Sequence, residues 1–170
     1  KHTPVILGGI EASLRRLGHY DYWSDQVRRS VLLDAGADLI SYGMGERSIV
    51  EIAEALDSGL AVSDLTFIRG TAYRTKTLEH IPDPVLLPSF EEIRSDCRRY
   101  AESFRIQHEN TDAVNSRVLV EDYGSRGYVA VNPPSMPLSV QEMDDIYDLP
   151  YVRAWHPSCD AAGGVPALQE

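Results

Sequence analysis

The run at residues 37–56, ADLISYGMGERSIVEIAEAL, decides how the rest of the chain is read. Its first part, ADLISYG, is a short apolar segment stopped by glycine, the pattern of a buried strand. Its second part places Ile49, Ile52, Ala53 and Leu56 at the i, i+3, i+4 and i+7 positions of an amphipathic helix, with Gly59 beyond them as a stop. Between the two, Gly43-Met44-Gly45-Glu46 turns the chain from strand into helix. A strand that passes into a helix through glycines is half of a βαβ unit.

Working outward, PVILGG at residues 4–9 reads as another buried strand, closed by Gly8 and Gly9. SDQVRRSVLLDAG at residues 24–36 predicts a helix with Ser24 or Asp25 as cap, Val27, Val31 and Ala35 on one face, and Gly36 at its end. LTFIRGTAYRT at residues 65–75 alternates as a strand around Gly70. Strand, helix, strand, helix, strand with short connections predicts a parallel sheet of right-handed βαβ units.

The character changes after residue 76. HIPDPVLLPS carries three prolines and reads as a linker or wrapping segment. Ser89-Phe90-Glu91-Glu92 is a capping box, opening a long helix in which Phe90, Ile93, Cys97, Tyr100, Ala101 and Phe104 recur by threes and fours. That spacing makes Cys97 a core residue in preference to a reactive thiol. RVLVEDYGSRGYVAV at residues 117–131 predicts a hairpin about GSRG, and a second capping box at Ser139–Glu142 starts a short helix carrying Met143 and Ile146. The expected organisation is a partial Rossmann-like α/β domain over 1–76, a helix and hairpin extension over 77–151, and a linker over 152–170. The chain begins with Lys1 and ends in the Gly/Pro-rich HPSCDAAGGVPALQE, so the expectation is a piece of a longer protein.

A hydrophobic content of 43% with 25% charged residues is ordinary globular composition. Twenty-six acidic residues against sixteen basic ones give a net charge of −10, which weighs against nucleic acid and anionic membrane as partners. Only the arginines at 15, 16, 28 and 29 form a local basic cluster. Cys97 and Cys159 lie 62 positions apart, which is no disulfide framework or metal spacing and suits a reducing cytoplasm. No apolar run approaches membrane-spanning length, and no export signal is present in this sequence.

Ligands of open α/β sheets sit beyond the carboxyl ends of the strands. Two loops qualify, Gly8-Gly9 and Gly43-Met44-Gly45-Glu46, and neither matches the P-loop or GxGxxG pattern. Glu46 in a first helical turn equally suits the helix dipole. Residues 8–25, GGIEASLRRLGHYDYWSD, crowd Glu11, Arg15, Arg16, His19, Tyr20, Tyr22, Trp23 and Asp25 directly after the first strand. The bland account is solvated arginines and an aromatic plug over the sheet edge. A metal site from His19, Asp21 and Asp25 matches no known ligand spacing, and no catalytic triad can be assembled.

PVILGGIEASLRRLGHYDYWSDQVRRSVLLDAGADLISYGMGERSIVEIAEAL resembles the N-terminal region of the YgiQ family of radical S-adenosylmethionine (SAM) proteins. IRGTAY at 68–73, LPSFEEI at 87–93, NPPSMPLS at 132–139 and EMDDIYDLPY at 142–151 carry the resemblance on, from about Pro4 to Tyr151. It implies a Rossmann-like, partly parallel sheet with flanking helices, like a cobalamin-binding domain, followed by a helix, a hairpin and an extended segment. It implies an accessory domain of a cytoplasmic iron–sulfur enzyme of unknown substrate, with a [4Fe–4S] cluster and SAM in the full-length protein and a downstream radical SAM barrel as partner. Three thiolates in a Cys-x3-Cys-x2-Cys loop hold that cluster, and Cys97 and Cys159 cannot build it. On this resemblance the chain is silent catalytically, and the residues from Arg15 to Asp25 cover the sheet edge and contribute to a pocket or domain interface. The alternatives are a small-molecule module that takes a nucleotide or cobalamin at the glycine turns, and a structural docking domain.

Overall fold

The computed structural model describes residues 3–168; residues 1–2 and 169–170, the outermost of the first and last expected segments, lie outside them. The chain divides into two units, residues 1–137 and 138–170. The strands of the first unit are β1 (Ile6–Leu7), β2 (His19–Asp21), β3 (Gln26–Arg28), β4 (Leu39–Ser41), β5 (Thr71–Thr75), β6 (Val85–Leu86), β7 (Leu119–Asp122) and β8 (Tyr128–Val131). Its helices are α1 (Gly9–Leu14), α2 (Val31–Asp34), α3 (Glu46–Asp57), α4 (Phe90–Ser95) and α5 (Cys97–Glu109). The second unit holds α6 (Val140–Tyr147), opened by the expected capping box between Ser139 and Glu142, and two short 3-10 segments.

Six strands form one sheet in the order β1-β4-β5-β8-β7-β6, and β2 pairs with β3 as a separate hairpin. Strand alternation makes the sheet two-faced. Ile40, Ala72, Leu119, Val129 and Val131 face a core closed by Ala12 of α1, Leu32 of α2, and Phe90 and Ile93 of α4. Leu39, Tyr73, Val120 and Ala130 face the other core, closed by Ile52 of α3 with Leu65, Ile68 and Ile81. Each fully buried Leu or Ile contributes roughly 1.5–3 kcal/mol.

The α/β class, the flanking helices, the parallel pairing of the first two sheet strands and the later hairpin are as expected. β1 runs parallel to β4 (Ile6↔Leu39), and β7 and β8 are antiparallel across Gly124–Arg126. The third strand of the expected run differs: β5 is antiparallel to β4, in the register Ile40↔Ala72. The reason lies in residues 65–70, which are no strand. Leu65 and Ile68 bury themselves as an irregular return leg after α3, and Gly70 (φ 71) turns the chain beside the end of β4, where the Tyr42 N–H donates to Gly70 O at 2.8 Å.

Two expected helices also differ. Only residues 31–34 of the 24–36 segment are helical, and the cap is Ser30, whose Oγ accepts from the Leu32 N–H, rather than Ser24 or Asp25. Gln26–Arg28 pairs instead with His19–Asp21, a pairing that takes up β-branched Val27. The long helix from residue 90 is broken at Asp96, which adopts extended backbone (φ −136, ψ 116) and caps α5 through the Arg98 N–H. The break shifts the helical phase, so Cys97 is exposed and not core, Phe104 is exposed, and Ser103 is buried. The capping box of Ser89 and Glu92 is formed as expected.

The hairpin turn yields a sharp test. Gly127 sits at φ 84, and a Cβ there would meet Thr75 O at 2.6 Å, whereas Gly124 at φ 60 has nothing within 4 Å of a Cβ. Gly127→Ala is expected to cost about 2–3 kcal/mol in urea unfolding, and Gly124→Ala roughly 1 kcal/mol. Equal costs would show that the clash with β5 is relieved without penalty.

Candidate functional site

Because β1 and β4 are parallel neighbours, their carboxyl ends and the two glycine turns lie side by side. Gly8, Gly9, Gly43 and Gly45, with Ser41, Glu46 and Ile49, line an open cavity of ≈ 490 Å³. Gly9 and Gly43 lie at φ 81 and 71, with empty space where a Cβ would stand, so backbone conformation rather than crowding calls for glycine. Ser13 of α1 joins the turns: its Oγ donates to Gly9 O at 2.8 Å and accepts from the Gly43 N–H at 3.0 Å. Below them, Ser41 Oγ and Ser48 Oγ are 2.7 Å apart. Glu46 lies exposed in the first turn of α3, where a carboxylate suits the helix dipole. Beside the turns Ile10, Met44 (49%) and Ile49 (50%) are exposed.

The crowded stretch after β1 separates into several fates. Glu11 and Arg15 pair across one turn of exposed α1 surface at 2.9 Å. Arg16 turns inward, with its guanidinium over the Tyr42 ring at 4.7 Å and Nη1 donating to Ser13 O at 2.5 Å. Burial lowers the Arg16 pKa from its ordinary value and pushes the Tyr42 hydroxyl up to about 12. His19 is half-buried beside Leu17 O, and burial depresses its pKa. Tyr20 lies on the outside of the hairpin, and its hydroxyl donates to Asp25, which closes the turn at φ 51. Its hydrogen bond to Asp25 raises the Tyr20 pKa. Tyr22 (69% exposed) and Trp23 (80%) stand at the tip with ring centroids 4.9 Å apart. The hairpin is tied to α5 by the Tyr20 N–H donating to Tyr100 Oη, while its two largest rings remain mostly exposed.

Sequence reasoning missed a carboxyl buried in the core. Glu121 of β7 is 0% exposed, accepting from the Gly18 N–H at 2.7 Å and from the Tyr123 hydroxyl, which itself accepts from the Ser30 N–H at 3.1 Å. Burial, partly offset by these two bonds, pushes the Glu121 carboxyl up to about 7. Burial and the adjoining carboxylate raise Tyr123 well above its ordinary value. Gly18 has no room for a Cβ, which would meet Ile93 Cδ1 at 2.4 Å and Glu121 Oε1 at 3.1 Å. The signal was present in LVEDY, where Glu121 and Tyr123 continue the face of Leu119 at a spacing of two.

Among the described residues no group of three or more His, Cys, Asp or Glu side chains is placed to hold a metal ion, His19, Asp21 and Asp25 included. No described helix is long and apolar enough to cross a membrane. The glycine cavity is suited to close approach of another backbone or a ligand.

A family model described as Radical SAM N-terminal matches residues 1–170. Similar curated proteins include the "UPF0313 protein" of Clostridium botulinum (strain ATCC 19397 / Type A), 46% identical over 170 residues. The "UPF0313 protein" of Clostridium perfringens (strain SM101 / Type A) is 46% identical over 171 residues. Each match takes in 100% of this chain and 26% of the relative, so the chain spans about a quarter of their length. No solved structure matches.

Glu121 sets a pH dependence whose sign follows from its raised pKa. The unfolded carboxyl ionises near its ordinary 4.5, the folded one near 7, so the folded state holds the extra proton between them. This stabilisation is fully present below about 4.5 and is lost as pH rises through 7, a change on the order of 3 kcal/mol. Thermal melts across that window are expected to show the decline in wild type and a flatter profile in Glu121→Gln. Identical slopes would remove Glu121 as the titrating group.

Proposed function

The chain belongs to the Radical SAM N-terminal family, and on that footing we propose that it is the non-catalytic N-terminal domain of a larger radical SAM protein, docking on the downstream polypeptide through its glycine-turn face. The observation that carries this reading is the exposed apolar set Ile10, Met44 and Ile49 around backbone turns that Ser13 ties together, in a chain that covers only 26% of its relatives' length. Exposed apolar groups gathered at one place mark an interaction surface. Tyr22 and Trp23 at the hairpin tip join the same partner, supplying two large rings to a pocket or domain interface.

A [4Fe–4S] cluster on three thiolates supplies the electron for SAM cleavage in this class of enzyme. Cys97 and Cys159 are one thiolate short, so this chain does not fit the cluster, whose ligands are assigned to the downstream part. The substrate is met there as well, in the cytoplasm. A second reading rests on the ≈ 490 Å³ cavity itself, which falls within the size range of small-ligand sites, so a nucleotide or cobalamin is its candidate occupant.

Ile49→Asp and Trp23→Ala in the full-length protein test the docking. Both positions are exposed, so folding of this domain is expected to be unchanged by circular dichroism. Limited proteolysis between the domains is expected to become severalfold faster, and reductive SAM cleavage to fall. Unchanged proteolysis and unchanged cleavage would overturn docking through this face. Equilibrium dialysis with cobalamin and with ATP, blocked by Ile49→Asp, would instead favour the second reading.

A further inference from the structure

Two cavities, of ≈ 400 and ≈ 280 Å³, share Arg28, Arg29 and Asp34 and so form one groove. Five arginines line it: Arg28 and Arg29 from the end of β3, Arg94 from α4, Arg126 from the β7–β8 turn and Arg15 from the end of α1. Against them stand three carboxylates, Asp21, Asp34 and Glu91, in a chain whose net charge is −10. A local excess of positive charge inside an acidic molecule demands an explanation that solubility does not supply.

The groove is also ordered. Asp34 Oδ1 holds Arg29 at Nε (2.8 Å) and Nη2 (2.7 Å), fixing the plane of that guanidinium. Arg94 pairs with Glu91 at 2.6 Å and stands over the Phe90 ring at 5.8 Å; Phe90 in turn stacks on Tyr123 at 5.4 Å, giving an aromatic wall. Arg28 meets Ser24 Oγ at 3.1 Å and is 3.8 Å from Asp21, a weak pairing. Arg15 holds Glu11 on the exposed surface. The Arg126 guanidinium has no hydrogen-bond or ion-pair partner among the described residues, and its backbone is set by the turn that Gly127 closes. Exposed ion pairs such as these are worth little, so their arginines can share donors with an incoming anion.

We propose that this groove binds a phosphate-bearing small molecule, its phosphate seated among Arg28, Arg94 and Arg126. Guanidinium forks match phosphate oxygens in pairs, and an anionic ligand matches the surplus of arginines over carboxylates. A cavity of ≈ 400 Å³ is of the size that holds a small ligand. A nucleic-acid strand fits less well, because it would have to cross the three groove carboxylates and the acidic surface beyond. The site shares no lining residue with the glycine-turn cavity and does not depend on the docking reading.

The test is isothermal titration calorimetry of the full-length protein with pyrophosphate at low ionic strength, with succinate and a single-stranded oligonucleotide as comparison ligands. Pyrophosphate is expected to bind, and Arg126→Ala and Arg28→Ala each to weaken it by about tenfold. Arg98→Ala, on exposed α5 surface outside the groove, is expected to leave affinity unchanged. Binding that is absent, indifferent to both groove variants, or matched by succinate would overturn the proposal. Binding of the oligonucleotide without pyrophosphate would overturn it in favour of nucleic acid.

Discussion

The fold turns on the satisfaction of one irregular segment by one side chain. Residues 65–70 pack against one face of the sheet without forming a ladder, and with Leu65 and Ile68 buried the backbone carbonyls of this segment need donors. Asn132 serves two carbonyls of this segment: its Nδ2, with two N–H donors to share, lies 3.0 Å from Thr66 O, 2.8 Å from Ile68 O and 3.0 Å from Thr71 Oγ1. The Asn132 carbonyl accepts from the Tyr42 hydroxyl at 2.5 Å, and Pro133 O accepts from the Gly70 N–H at 2.8 Å. Arg69 Nε donates to Pro134 O. The phrases YGMGE, IRGTAY and NPPS, far apart in the sequence, are thus one structural object. Without it the return leg could not lie against α3, and β5 could not enter beside β4.

That junction explains why some features were legible and others were not. Periodicity found α3, and the Ser89 and Ser139 capping boxes found two helix starts, because each depends on residues within one turn. The orientation of β5 depends on Asn132, more than 60 positions away, and no local pattern carries it. The apolar stripe from Phe90 to Phe104 was real in spacing but false in phase, because Asp96 serves as the cap of a second helix. Residues 24–36 combine two short elements whose apolar positions happen to mimic one helix, and only pairing with β2 separates them.

The glycine turns are candidate site loops from their place after two strands, and the parallel β1–β4 pairing brings them together. What sequence could not give is their state. Ser13 takes up the Gly43 N–H, a donor that an anion-binding loop would leave free, while the neighbouring side chains are apolar and exposed. Exposed carbon beside a partly paired turn gains by being covered, the physical basis of the docking proposal.

The arginines at 15, 16, 28 and 29 make the same point for charge. Read as a run, they form one basic cluster; in space they split. Arg16 is drawn under the surface onto Tyr42, where a flat guanidinium can stack on a ring and still donate to Ser13 O, a geometry that a compact ammonium does not reproduce. Arg28 and Arg29 leave the hairpin in the direction of α4 and gain Arg94 and Arg126, which no sequence neighbourhood joins to them. Charge density in a folded chain is set by which strands end together, so a molecule of net −10 can still concentrate positive potential where β3, α4 and the β7–β8 turn converge.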